Sequence, residues 1–151
     1  MSDPDKRLIP VAAFLKRHLP GPRRATRADL LKWLGWYWTD ARVGIVRERG
    51  RIVAVAMARC LHAIEDAENP FSHDEAGRIV WVEHIVSKHP QGVAALIGIL
   101  VKRFGPRETL MGQAIKRDGE LRKLPWNHVV QFFNVTSPHE QSDRSRSTCC
   151  A

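Results

Sequence analysis

Apolar positions recur at helical spacing twice near the start of the chain. Residues 8–18 (LIPVAAFLKRH) predict a short helix in which Pro10 is tolerable because it falls in the first turn. Pro20-Gly21-Pro22 breaks it. Thr26, with Asp29 three residues on, predicts the N-cap of a second helix, which carries Leu30, Leu31, Trp33, Leu34, Tyr37 and Trp38 as a broad apolar surface. The period then changes. Residues 43–49 and 51–58 are β-rich runs flanking Gly50 and predict an antiparallel hairpin turning at Arg49-Gly50. An acidic, irregular connection (62–77) leads to residues 78–86, which are apolar on both faces and predict a central strand. Residues 91–104 predict a strongly apolar helix stopped by Gly105-Pro106. A last strand pair, 108–115 and 120–124, turns at Asp118-Gly119, and residues 126–133 suit either a short closing helix or a strand. From Thr136 onward the chain is polar and reads as a disordered tail, 136–151, behind one domain of residues 1–135. No repeats are visible. The order α-α-β-β-β-α-β-β implies an α+β fold: a mixed, mostly antiparallel sheet with two N-terminal helices and one central crossover helix.

The chain's 151 residues are enough for one domain with a sizeable core. Its 44% hydrophobic and 26% charged residues are ordinary for a globular protein. No stretch approaches the roughly 20 apolar residues of a membrane span, and the polar start Met1-Ser2-Asp3-Pro4-Asp5 lacks the features of a secretory signal, so a cytoplasmic location is expected. Three cysteines (Cys60, Cys149, Cys150) form no metal-ligand spacing, so no metal is expected, and Cys60 in its apolar run reads as a core residue.

Charge narrows the partners. A net charge of +8 attracts anions: nucleic acid, anionic lipid, an acidic protein or a phosphate-rich cofactor. Nucleic acid is disfavoured, because helix-turn-helix spacing, stacking aromatics of the RNA-binding type and zinc ligands are all missing. Oligomeric state is not legible.

The segment from Val80 to Phe104 carries the chemistry. A strand, a bend (His89-Pro90-Gln91-Gly92) and a helix start aim main-chain N–H groups outward at the positive end of a helix dipole, a site suited to phosphate. Gly92 is expected to let a ligand approach the backbone, with Ala94 and Ala95 keeping the access open. Glu83 and His84 on the central strand are the candidate catalytic groups for proton transfer. Strict alternation puts them on opposite faces, so only one faces a given cleft. Main-chain groups at Ile85, Val86 and Ser87 are candidate oxyanion donors.

The hairpin VGIVRERGRIVAVAMAR, the central strand and Gln91-Gly92-Val93-Ala94-Ala95-Leu96 resemble the core of the GNAT acyltransferases over about Val43 to Leu124. In that family a Q/R-x-x-G-x-G/A element binds the coenzyme A pyrophosphate through backbone amides. Here Lys88-x-x-Gln91-Gly92-x-Ala94 corresponds, so the resemblance implies a cofactor site of Ile85, Val86, Ser87, Gln91, Gly92, Val93, Ala94 and Ala95 for acetyl-CoA or another acyl-CoA. A narrower resemblance runs to the toxin-activating lysine acyltransferases, which use acyl carrier protein as donor. Glu83 stands where their strand, Trp-Phe-Ile-Asp-Trp-Ile, carries a catalytic Asp, but Thr39-Asp40-Ala41-Arg42 lacks the histidine they place after the Trp-rich helix. GNAT enzymes commonly protonate the departing thiolate with a tyrosine near the end of the fold. The single tyrosine here, Tyr37, lies in the second helix. The function implied is acyl transfer from acyl-CoA, or acyl carrier protein, to a small-molecule or protein amine. The alternative is a catalytically inactive GNAT-like binding or structural module encoded by a phage or mobile element.

Overall fold

A computed structural model describes residues 6–19, 25–114, 120–131 and 147–150. Helix α1 (Leu8–His18) turns Val11, Ala12, Phe14 and Leu15 inward, with Pro10 harmless in its first turn. Helix α2 (Arg27–Thr39) is capped as the sequence predicts, the Thr26 side chain accepting a hydrogen bond from the Asp29 N–H at 3.1 Å. Strands β1 (Val43–Glu48) and β2 (Arg51–Leu61) form the hairpin. Its turn places Arg49 and Gly50 at φ of +52° and +78°, the pair of left-handed residues that matches strand twist. A 3-10 segment, Ile64–Glu68, orders part of the acidic connection. Then come β3 (Ile79–Ser87), α3 (Pro90–Phe104), β4 (Thr109–Ala114) and β5 (Glu120–Pro125). A helical turn, α4, spans 126–131, which settles the choice left open by the sequence. The expected Asp118-Gly119 turn lies outside the described residues.

Ser147–Cys150, read from the sequence as part of a disordered tail, instead forms a short edge strand, β6, against β1. Residues 136–146 lie outside the described part. The six strands follow the order β5-β4-β3-β2-β1-β6, antiparallel throughout except β3 beside β4, where α3 makes the crossover. The mixed, mostly antiparallel α+β architecture is therefore as expected.

Two apolar layers cover the sheet. On one side α1 and α2 bury Leu15, Leu30, Leu34 and Tyr37 against Val43, Ile45, Val55 and Met57. On the other, Leu96, Leu100 and Phe104 of α3, with Trp126 and Val129 of α4, pack on Ala54, Ala56, Ala58, Cys60, Val80 and Val82. Each fully buried aliphatic side chain contributes about 1.5–3 kcal/mol. Small residues at alternate positions of β2 let α3 lie close. No helix among the described residues is long and apolar enough to cross a membrane.

Candidate active site

The β2–β3 ladder runs Leu61↔Ile79, Cys60↔Val80, Arg59↔Trp81 and Ala58↔Val82, then resumes at Met57↔His84. Glu83 is thus an extra residue, a β-bulge in the central strand. One inserted residue shifts the alternation by one, so Glu83 and His84 both face α2, and the expectation of opposite faces is corrected. The His84 ring lies 5.6 Å from Trp33 of α2. Ile85 returns to the α3 side and Val86 packs on the α2 side.

Glu83 belongs to a hydrogen-bonded group centred on Arg59, which is 0% exposed. Arg59 Nη1 donates to Glu83 Oε2 at 2.5 Å and to the Tyr37 hydroxyl at 2.9 Å. Its Nη2 donates to the carbonyls of Ala67 (2.8 Å) and Asn69 (3.1 Å) in the acidic connection. Trp81 Nε1 donates to the same Glu83 Oε2 at 2.9 Å. Both donors converge on Oε2, and Oε1 has no donor among the described residues. The Glu83 side chain remains 25% exposed. Burial pushes the Tyr37 hydroxyl up to about 12, with Arg59 opposing the rise and Glu83 adding to it. Burial lowers the His84 imidazole below its ordinary value, the Glu83 charge opposing, and His84 Nδ1 is buried without a partner among the described residues. Burial also lifts the Cys60 thiol to about 11, consistent with a core residue rather than a nucleophile.

The sequence gives Tyr37 only a place in the apolar stripe of the second helix and gives Arg59 no site role. One signal was present: Arg59 interrupts an apolar run, and a charge inside such a run is rarely buried without a partner.

Beyond the bulge the sheet forks. The β3–β4 ladder extends only from Ile79↔Thr109 to Val82↔Gly112, whereas β2 stays paired with β3 as far as Ser87. Among the described residues, the edge of β3 facing β4 therefore has no strand partner from Glu83 to Ser87, and this stretch contains the candidates Ile85, Val86 and Ser87. At the last rung β4 approaches closely: a Cβ on Gly112 would lie 3.0 Å from the Val82 carbonyl oxygen.

The start of α3 differs from its sequence reading. The space beside Gly92 is filled from within, since a Cβ there would meet Ser87 Oγ at 2.0 Å, Ser87 Cβ at 3.1 Å and Ala54 Cβ at 3.2 Å. Gly92 thus makes room for the end of β3. The His89 N–H donates to Ser87 Oγ, the Gly92 N–H donates to the His89 carbonyl, and Pro90 has no N–H. Gln91 keeps the one first-turn amide without an acceptor among the described residues. Val93 and Ala94 line an apolar cavity of about 410 Å³ with Pro90, Ile97, Leu124, His128 and Val129. Ala95, half-buried, packs on the core. The predicted residues therefore fall into two groups, Glu83 and His84 on the α2 face and Val93 and Ala94 on the α3 face, joined by the fork at Ile85–Ser87.

No family model and no curated protein matches the sequence. Among solved structures, the fold is similar to that of the GphF GNAT-like decarboxylase in complex with isobutyryl-CoA, at a TM-score of 0.55 and 20% identity. The match covers 74% of this chain and 63% of the other, so this chain spans less than two thirds of that structure. At that identity the likeness speaks for the fold.

Proposed function

Because this chain has a GNAT-like fold, we propose that it binds an acyl-CoA, or the acylated pantetheine of a carrier protein, and transfers the acyl group to a primary amine. The observation that carries this reading is the fork: β3 leaves β4 after Val82, and the bulged Glu83 stands at the point of separation. The donor would enter on the α3 side, its apolar parts against Val93 and Ala94, and its pantetheine arm would pass between β3 and β4. Main-chain N–H groups of Ile85–Ser87 that face away from β2 would then meet the thioester oxygen, where negative charge develops. The acceptor amine would approach from the α2 side. Glu83 Oε1 would take its proton as the nitrogen attacks the carbonyl carbon, the C–S bond breaks, and the CoA thiolate leaves to be protonated by solvent. The net charge of +8 favours an anionic donor of either kind. With a single first-turn amide left open at Gln91, diphosphate recognition would lean on the helix dipole and on nearby Lys88 and His89.

One observation favours a second reading, decarboxylation of a malonyl-type acyl-CoA. Tyr37 is the only tyrosine, and its hydroxyl is buried, bonded to Arg59 and raised to about 12, so it is a poor acid for a departing thiolate. Decarboxylation releases no thiolate: the C–C bond to the carboxylate breaks, its electrons form a thioester enolate, and the α-carbon takes a proton as carbon dioxide leaves.

Titration calorimetry with acetyl-CoA tests donor binding, and acetyl-CoA at 100 times its Kd should raise Tm by roughly 5–10 °C. Thiol release from acetyl-CoA that requires an amine supports transfer, whereas carbon dioxide release from malonyl-CoA without an amine supports the second reading. Glu83→Gln should retain binding and lose amine-dependent turnover. Absence of binding by acetyl-, malonyl- and longer acyl-CoA alike would end both readings.

A further inference from the structure

We propose that Arg59 is a positioning residue for Glu83, which rests on the reading of Glu83 as proton acceptor. A bulge residue has no cross-strand partner to define its direction, so side-chain bonds must hold it. Arg59 supplies the strongest of these. It is completely buried, which is costly for a cation unless its donors are met, and the two Nη atoms of its fork meet four oxygens at once, Glu83 Oε2, the Tyr37 hydroxyl and the carbonyls of Ala67 and Asn69, leaving Nε without a partner among the described residues. These lie on β3, on α2 and in the connection after β2. The orientation of Glu83 is thereby tied to three separate parts of the chain. Because Arg59 and Trp81 both bind Oε2, Oε1 is the oxygen left for the acceptor.

The test compares Arg59→Met, Arg59→Lys and Tyr37→Phe with the unaltered full chain. Turnover is read as thiol release from acetyl-CoA with hydroxylamine as amine, and donor affinity by calorimetry. Arg59→Met should lower kcat about 100-fold, the cost of misplacing a reacting group by an ångström, with KM for acetyl-CoA changed less than about twofold. Arg59→Lys keeps the charge without the fork and should recover about tenfold of that loss. Tyr37→Phe removes one hydrogen bond and should cost about 2- to 10-fold. A second readout needs no turnover: hydrogen exchange of the Trp81 indole N–H, which the Glu83 carboxylate holds. Arg59→Met should speed that exchange selectively among the five tryptophans, and Arg59→Lys should leave it slower than in Arg59→Met. Where Arg59→Met does not fold, Arg59→Lys and Tyr37→Phe carry both measurements. Unchanged kcat together with unchanged Trp81 exchange in the folded variants overturns the proposal, as does uniform loss of protection across all five indoles. Failure of the unaltered chain to bind acetyl-CoA overturns the enzyme reading instead, while the Trp81 exchange still reports whether Arg59 holds Glu83.

Discussion

Replacing Gly92 by alanine separates two roles a glycine can have at the start of a helix. If Gly92 leaves room for a ligand, alanine removes binding and spares the fold, since alanine is favoured over glycine inside a helix by about 1 kcal/mol. The geometry predicts the reverse. The new Cβ would lie 2.0 Å from Ser87 Oγ, which must rotate away. That rotation breaks the bond Ser87 Oγ donates to the His89 carbonyl and the one it accepts from the His89 N–H, each worth roughly 1 kcal/mol. Contacts of 3.1 Å to Ser87 Cβ and 3.2 Å to Ala54 Cβ remain, and overpacking of this kind costs about 1–3 kcal/mol. Set against the helix-propensity gain, the net loss is about 2–4 kcal/mol, or a Tm lowered by roughly 6–12 °C for a chain of this length. Thermal unfolding followed by circular dichroism measures it. A Ser87→Ala/Gly92→Ala double variant tests the cause, because without Oγ the worst contact is gone and the two losses should fall short of additivity. A Gly92→Ala protein as stable as the parent, or more stable, refutes the packing account.

Two further predictions follow from the same kind of geometry. Tyr37 is the only tyrosine, so ultraviolet titration reports a single phenol; it should remain protonated at pH 11 and ionise near 12 or on unfolding. Because its folded value lies above the ordinary 10, its contribution to stability is complete below pH 10 and is lost as pH rises from about 10 to about 12; ionisation near 10 in the folded protein contradicts the buried placement. A Cβ on Gly77 would sit 2.7–2.8 Å from the N, C and O atoms of Leu61, backbone held in β2, so Gly77→Ala should cost roughly 3 kcal/mol or more, visible as a lowered urea midpoint.

Most of the elements were legible because each rests on local regularities. The Thr26 cap, the Arg49-Gly50 turn and the stop at Gly105 are written in single residues, and the helical or strand period is set by which positions are apolar. The α+β class and the crossover from β3 through α3 follow from the order of those periods. The edge strand at Ser147–Cys150 was not legible, because its pairing with β1 links residues about a hundred positions apart and four residues are too short a run to show a strand period.

The candidate site divides along the same line. Glu83 and His84 could be named from the sequence, but their shared face depends on a bulge, and a bulge is a relation between two strands that neither strand encodes alone. Arg59 shows a charge in an apolar run, yet its partners come from Tyr37 before it and Glu83 after it, brought together only by the packing of α2 on the sheet. Gly92 was visible as a glycine at a helix start; whether its empty side is filled by a ligand or by Ser87 was decided by how closely β3 runs beneath α3. By itself the sequence determined which segments bury an apolar face and where the chain turns, since period and backbone preference act within a few residues. Tertiary structure alone decided the register, the fork after Val82 and the grouping of charges, because these are distances between residues far apart in the chain.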